Sequence, residues 1–105
     1  MAAPTKDPNV EARIQSIIAK MTVEEKIGQI IQADIDSITP QQAKEFFIGA
    51  VLNGGNSAPG GDLRSAPSAW LELADKFWDA SIDRSNGRSG IPIFWGTDAV
   101  HGHNN

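Results

Sequence analysis

A chain of 105 residues is long enough for one small domain and no more. With 40% hydrophobic and 21% charged residues the composition is ordinary for a globular domain, and no apolar run is long enough to cross a bilayer. The net charge of -4, with Lys and Arg scattered singly among acids, argues against a nucleic-acid partner. The absence of cysteine excludes disulfides, thiolate metal sites and a Cys nucleophile.

The opening MAAPTKDPN has neither a charged n-region nor an apolar h-region, so it does not read as an export signal. From about Asn9 to Met21, Val10, Ile14, Ile17, Ile18 and Met21 share one helical face, with Glu11, Arg13, Gln15 and Lys20 mainly opposite. Thr22-Val23-Glu24-Glu25 is a capping box: the Thr22 hydroxyl accepts from the Glu25 amide, and the Glu25 carboxylate reaches back to the Thr22 amide. The helix it opens is expected to turn Val23, Ile27, Ile30 and Ile31 inward. A short extended stretch follows around Gln32 to Ile35.

Thr39-Pro40-Gln41-Gln42 repeats the capping logic, with Pro at the first helical position. This helix is expected to end near Ile48, where Gly49 can take the left-handed conformation that closes it. Ala50 to Leu52 reads as a brief strand. The loop NGGNSAPGGDLRSAP comes next, and loops this long inside a compact domain are usually functional or disordered. It lacks the spacing of either common phosphate-cradling glycine motif.

From Pro67 to about Ser85 the pattern is helical again. Trp70, Ala74, Phe77, Trp78, Ser81 and Ile82 lie on the apolar face, where the two Trp are expected to pack inside. Asn86-Gly87 ends the helix, and Ile91 to Trp95 is continuously apolar, as in a parallel strand buried on both faces. Strands alternating with helices mean parallel βα units. Two or three such strands leave sheet faces and edges uncovered, so residues 1–105 read as the opening portion of a larger α/β domain.

In parallel α/β folds the working groups sit at the C-terminal ends of strands. Asp98 occupies such a place, three residues beyond Trp95, where an ionised carboxylate can accept two hydrogen bonds from vicinal hydroxyls of a sugar. The segment GTDAVHGHNN after IPI resembles the one that follows an early barrel strand in family 3 glycoside hydrolases. MTVEEKIGQIIQAD, ITPQQAKEFFIGAVLNGG and WLELADKFWDASID resemble the family's preceding segments in the same order. The similarity runs from Val10 onward.

The resemblance implies an α/β chain forming the first part of an N-terminal TIM-like (β/α)8 barrel. The remaining barrel and a second α/β sandwich domain would complete it. It implies a β-glucosidase or exo-β-glucan glucohydrolase that releases glucose from non-reducing ends of β-glucans or β-glucosides with retention. It implies no cofactor and no required metal, and a periplasmic or extracellular setting. Asp98 matches the family's Asp that grips hydroxyls of the terminal glucose, commonly O4 and O6. The nucleophile (a downstream Asp) and the acid/base (a Glu of the second domain) have no matching position within residues 1–105, so this segment alone is expected to be inactive.

Read without that resemblance, Asp98 is equally a helix N-cap or turn acid. Asp98, His101 and His103 form a D-x-x-H-x-H cluster that would suit a metal-dependent barrel hydrolase. Two close loop histidines are, however, more often hydrogen-bonded structural groups. Asn104 and Asn105 suit fixing of the loop backbone, and Trp95 a sugar-stacking wall. Glu24 and Glu25 cannot face one substrate together from adjacent helical positions, and are expected to be surface acids.

Overall fold

The computed structural model describes residues 2–102. Four α-helices, one short 3-10 turn and three strands alternate along it: α1 (Pro8–Lys20), α2 (Val23–Gln29), β1 (Gln32–Asp34), α3 (Pro40–Glu45), β2 (Ala50–Asn53), the turn Pro59–Gly61, α4 (Pro67–Ile82) and β3 (Phe94–Thr97). The sheet order is β1-β2-β3 and both pairings are parallel. The two crossovers, through α3 and α4, make two βαβ units, as the alternation of patterns implies. The architecture is α/β.

Local chemistry sets the helix starts. Asp7 caps α1 by accepting from the Asn9 amide at 2.8 Å, and Pro8 occupies the first helical position. Both capping boxes form. Thr22 Oγ1 accepts from the Glu25 amide and Glu25 Oε2 from the Thr22 amide, each at 3.1 Å. Thr39 and Gln42 exchange the same pair at 3.1 and 3.0 Å.

The core lies between the sheet and α3 and α4. Val51 and Phe77 are fully buried there, with Ile35, Ala43 and Ile48 around them, and Trp70, Leu73, Ile93 and Trp95 pack against the cluster. Phe77 meets Trp95 edge to face, ring centroids 6.1 Å apart, which ties α4 to β3. Strand alternation assigns Val51 and Asn53 to this covered face, and Ala50 and Leu52 to the other. In register with Leu52 stand Asp34 on β1 and Gly96 on β3, so these share the uncovered face. A side chain at Gly96 would run into Gln32 Nε2 at 2.9 Å, which shows Gln32 reaching across that same face.

Several apolar positions depart from the sequence expectation. Val23, Ile27, Ile30 and Ile31 do not turn inward: all four are exposed, Ile30 to 85%, and the buried residues of α2 are Glu25 and Gly28. α1 has no buried residue, and its Ile14, Ile17 and Ile18 line an apolar groove of about 450 Å³ with Met21 and Ile91. Trp78 and Ile82 are likewise exposed, while Trp70 packs as expected. β3 begins at Phe94 rather than Ile91, and it is not buried on both faces, since Phe94 is 76% exposed. Among the described residues, these faces are left partly open to solvent.

The closing of α3 also differs. The helix stops at Glu45 and the left-handed residue is Phe47 (φ 56°), not Gly49. Gly49 is needed for space: a Cβ there would sit 2.5 Å from the Gln29 carbonyl oxygen, because its amide donates to the Gly28 carbonyl at 2.8 Å. Gly28 is pressed in turn against the Phe47 carbonyl. α4 ends at Ile82 rather than Ser85, with Asp83 as its C-cap.

Candidate active-site rim

The C-terminal ends of the three strands form one edge of the sheet, and polar groups gather there. Asp98 directly follows β3, and its amide donates to the Asn53 carbonyl at 2.9 Å, so the residue is held as the next rung of the β2–β3 ladder. It is exposed, and among the described residues no helix begins after it: the chain passes into a turn at Val100–Gly102. The N-cap reading of Asp98 therefore has no helix to cap. By strand parity Asp98 lies on the same uncovered face as Asp34 and Gly96.

Asn53 ends β2 and is buried. Its Nδ2 donates to the Gly54 carbonyl at 3.0 Å and to the Ser57 carbonyl at 2.7 Å. Ser57, also buried, donates its hydroxyl to Asp34 Oδ2 at 2.6 Å and accepts from the Gly54 amide at 3.0 Å. Asp34 also accepts from the Asp36 amide at 2.9 Å. The Ser57 hydroxyl, more than anything else, holds the Asp34 carboxyl below its ordinary range; partial burial opposes this and the Asp36 amide adds to it. The start of the long loop is thus clasped to the ends of β1 and β2. Sequence reading does not single out Asp34, Asn53 or Ser57. Their position at strand ends is the available signal, but the 23-residue separation of the Asp34–Ser57 bond hides it.

Other candidate residues fall elsewhere. Trp95 does not form a wall at this rim; it packs into the core against Phe77. His101 is exposed in the turn after Asp98. Among the described residues no group of three His, Cys, Asp or Glu is placed to hold a metal ion. His103, Asn104 and Asn105 lie outside the described residues. No helix among the described residues is long and apolar enough to cross a membrane.

Glu25 is not a surface acid. It is 4% exposed and, besides the Thr22 amide, its Oε1 accepts from the Ser89 amide. Burial pushes its carboxyl up, but the Ser89 and Thr22 amides and the nearby Arg88 charge outweigh that and leave it lowered. Arg88 is equally buried, its guanidinium 5.8 Å from the Phe47 ring centre, and burial lowers its pKa. This pair anchors the turn that leads into β3.

An exo-1,3/1,4-β-glucanase from a Pseudoalteromonas species superposes on 94% of this chain with a TM-score of 0.87 and 44% sequence identity. The chain resembles a segment of the family 3 glycoside hydrolases. A point mutant of that glucanase gives the same TM-score, coverage and identity. The lysosomal β-glucosidase of Dictyostelium discoideum is 31% identical across 87% of this chain. The chain spans 12% of the length of that β-glucosidase, and 12% and 16% of the two glucanase chains. No family model matches it. The family 3 resemblance read from four motifs thus has matching relatives in both sequence and structure.

Proposed function

We propose that this chain supplies the first βα units of a TIM-like (β/α)8 barrel. In the whole protein, further barrel and a second α/β sandwich domain would form a retaining β-glucosidase or exo-β-glucanase. The observation that carries the reading is the position of Asp98. It is an exposed carboxylate held by its own backbone at the C-terminal end of a parallel strand, in a segment 44% identical to an exo-1,3/1,4-β-glucanase. On the uncovered face that rim would form one wall of a pocket for the terminal sugar of a β-glucan or β-glucoside.

Asp98 would accept hydrogen bonds from two hydroxyls of that sugar. A charged acceptor beside the end unit leaves no room for a chain continuing past it, which favours exo cleavage. The bond-breaking carboxylates would come from other parts of the protein, about 5–5.5 Å apart as retention requires. The exposed faces of α1, α2 and β3 would be covered by those same parts.

The test is product analysis with the full-length protein on a linear β-glucan. Glucose released from the first time point, as the β-anomer by proton NMR, is the expected result. Oligosaccharides from internal cleavage, or first release of the α-anomer, would overturn the exo or the retaining assignment respectively.

A further inference from the structure

We propose that Asp34 and Ser57 are positioning residues for Asp98, acting through Asn53 to set the height and direction of the sugar-binding carboxylate at the strand ends. This rests on the reading of Asp98 as a substrate contact. The chain of contacts is continuous. The Asp98 amide donates to the Asn53 carbonyl at 2.9 Å, and the Asn53 side chain donates to the Ser57 carbonyl at 2.7 Å. The Ser57 hydroxyl then donates to Asp34 Oδ2 at 2.6 Å. The links thus join the ends of β3, β2 and β1, and their middle members, Asn53 and Ser57, are buried.

The chemistry of each link explains its residue. Asn53 must be an amide because its side chain donates to two loop carbonyls while its backbone carbonyl faces β3. Ser57 needs a hydroxyl because it accepts from the Gly54 amide and donates to a carboxylate at once. Asp34 accepts from both Ser57 and the Asp36 amide, so its two oxygens are already engaged. Those bonds fix Asp34 in place as a brace for the rim, while Asp98 is the exposed carboxylate at the strand ends. Gly54 completes the fit, since a Cβ there would stand 3.1 Å from Asp34 Oδ2 and 3.3 Å from Ser57 Oγ.

A double-mutant cycle in the full-length protein separates positioning from other roles. The substrates are an aryl β-glucoside and its 6-deoxy analogue. Ser57→Ala should lower kcat/KM on the glucoside about tenfold, the worth of one well-made hydrogen bond, and should narrow the preference over the 6-deoxy analogue. In an Asp98→Asn background the same change should cost almost nothing further. Asp34→Asn, which can still accept from Ser57, should lose less than Asp34→Ala. Hydrogen exchange of peptides covering 96–100 should quicken in Ser57→Ala. A tenfold loss that persists in the Asp98→Asn background would overturn the proposal, and so would unchanged exchange at 96–100. Wild-type kcat/KM in Asp98→Asn alone would instead remove the substrate-contact reading, while the exchange result still reports the link.

Discussion

Replacing Glu25 by Gln probes a buried charge that ties α2 to the turn before β3. The carboxylate is 4% exposed, accepts from the Thr22 amide at 3.1 Å and from the Ser89 amide, and stands near the buried Arg88. Gln keeps the shape but turns one acceptor into a donor. One amide, Ser89 or Thr22, then faces an NH2 group, and the other bond loses its charge assistance. Arg88 Nε and Nη1 have no hydrogen-bond partner among the described residues, so removing the nearby anion also leaves that cation less compensated. Hydrogen bonds to a charged group are worth about 1.5–3 kcal/mol, which sets the loss at about 2–4 kcal/mol. At about 2–4 °C per kcal/mol for a larger domain, the full-length Glu25→Gln variant should melt roughly 4–16 °C lower at pH 7. Because the folded carboxyl lies below its unfolded value of about 4.3, this stabilisation is present above that pH and lost as pH falls through the folded pKa. The gap in Tm between wild type and variant should therefore close below pH 4. Equal Tm at pH 7, or a gap that stays constant to pH 3, would mean that the buried Glu25 charge does not stabilise the fold.

Other changes test other parts of the structure. Gly28→Ala drives a Cβ into the Phe47 carbonyl, backbone against backbone, and should cost more than about 3 kcal/mol, seen as loss of folded protein on expression. Phe77→Ala removes a fully buried ring and its edge contact with Trp95; a loss of about 3–5 kcal/mol in thermal melting is expected. The 105-residue polypeptide expressed alone exposes Val10, Ile27, Ile30, Phe94 and Val100 together. It should aggregate or show no cooperative melt; a sharp transition with well-dispersed amide resonances would contradict this.

Much of the frame is legible in the sequence because it is set locally. Both capping boxes, the proline helix starts and the βα alternation depend on residues within four positions of each other. The place of Asp98 at a strand end is legible for the same reason, since it directly follows an apolar run that the alternation makes a parallel strand. What stays hidden is set at long range. Glu25 looks like one of two helix-surface acids until Ser89, 64 residues away, donates to it. Gly49 looks like a helix terminator, but the left-handed residue is Phe47 and Gly49 is instead pressed against the Gln29 backbone. The apolar face of α2 exists as the periodicity implies but is not buried, because periodicity reports that cover is required and not where it comes from.

Kinetics of the full-length Asp98→Asn variant on an aryl β-glucoside ask whether Asp98 holds the terminal sugar. Two hydrogen bonds to a charged acceptor, each worth about 1.5–3 kcal/mol, are weakened or lost together. If Asp98 does so, kcat/KM falls by about 10²- to 10⁴-fold while thermal stability holds, since Asp98 is exposed. A variant with wild-type kcat/KM would contradict that role.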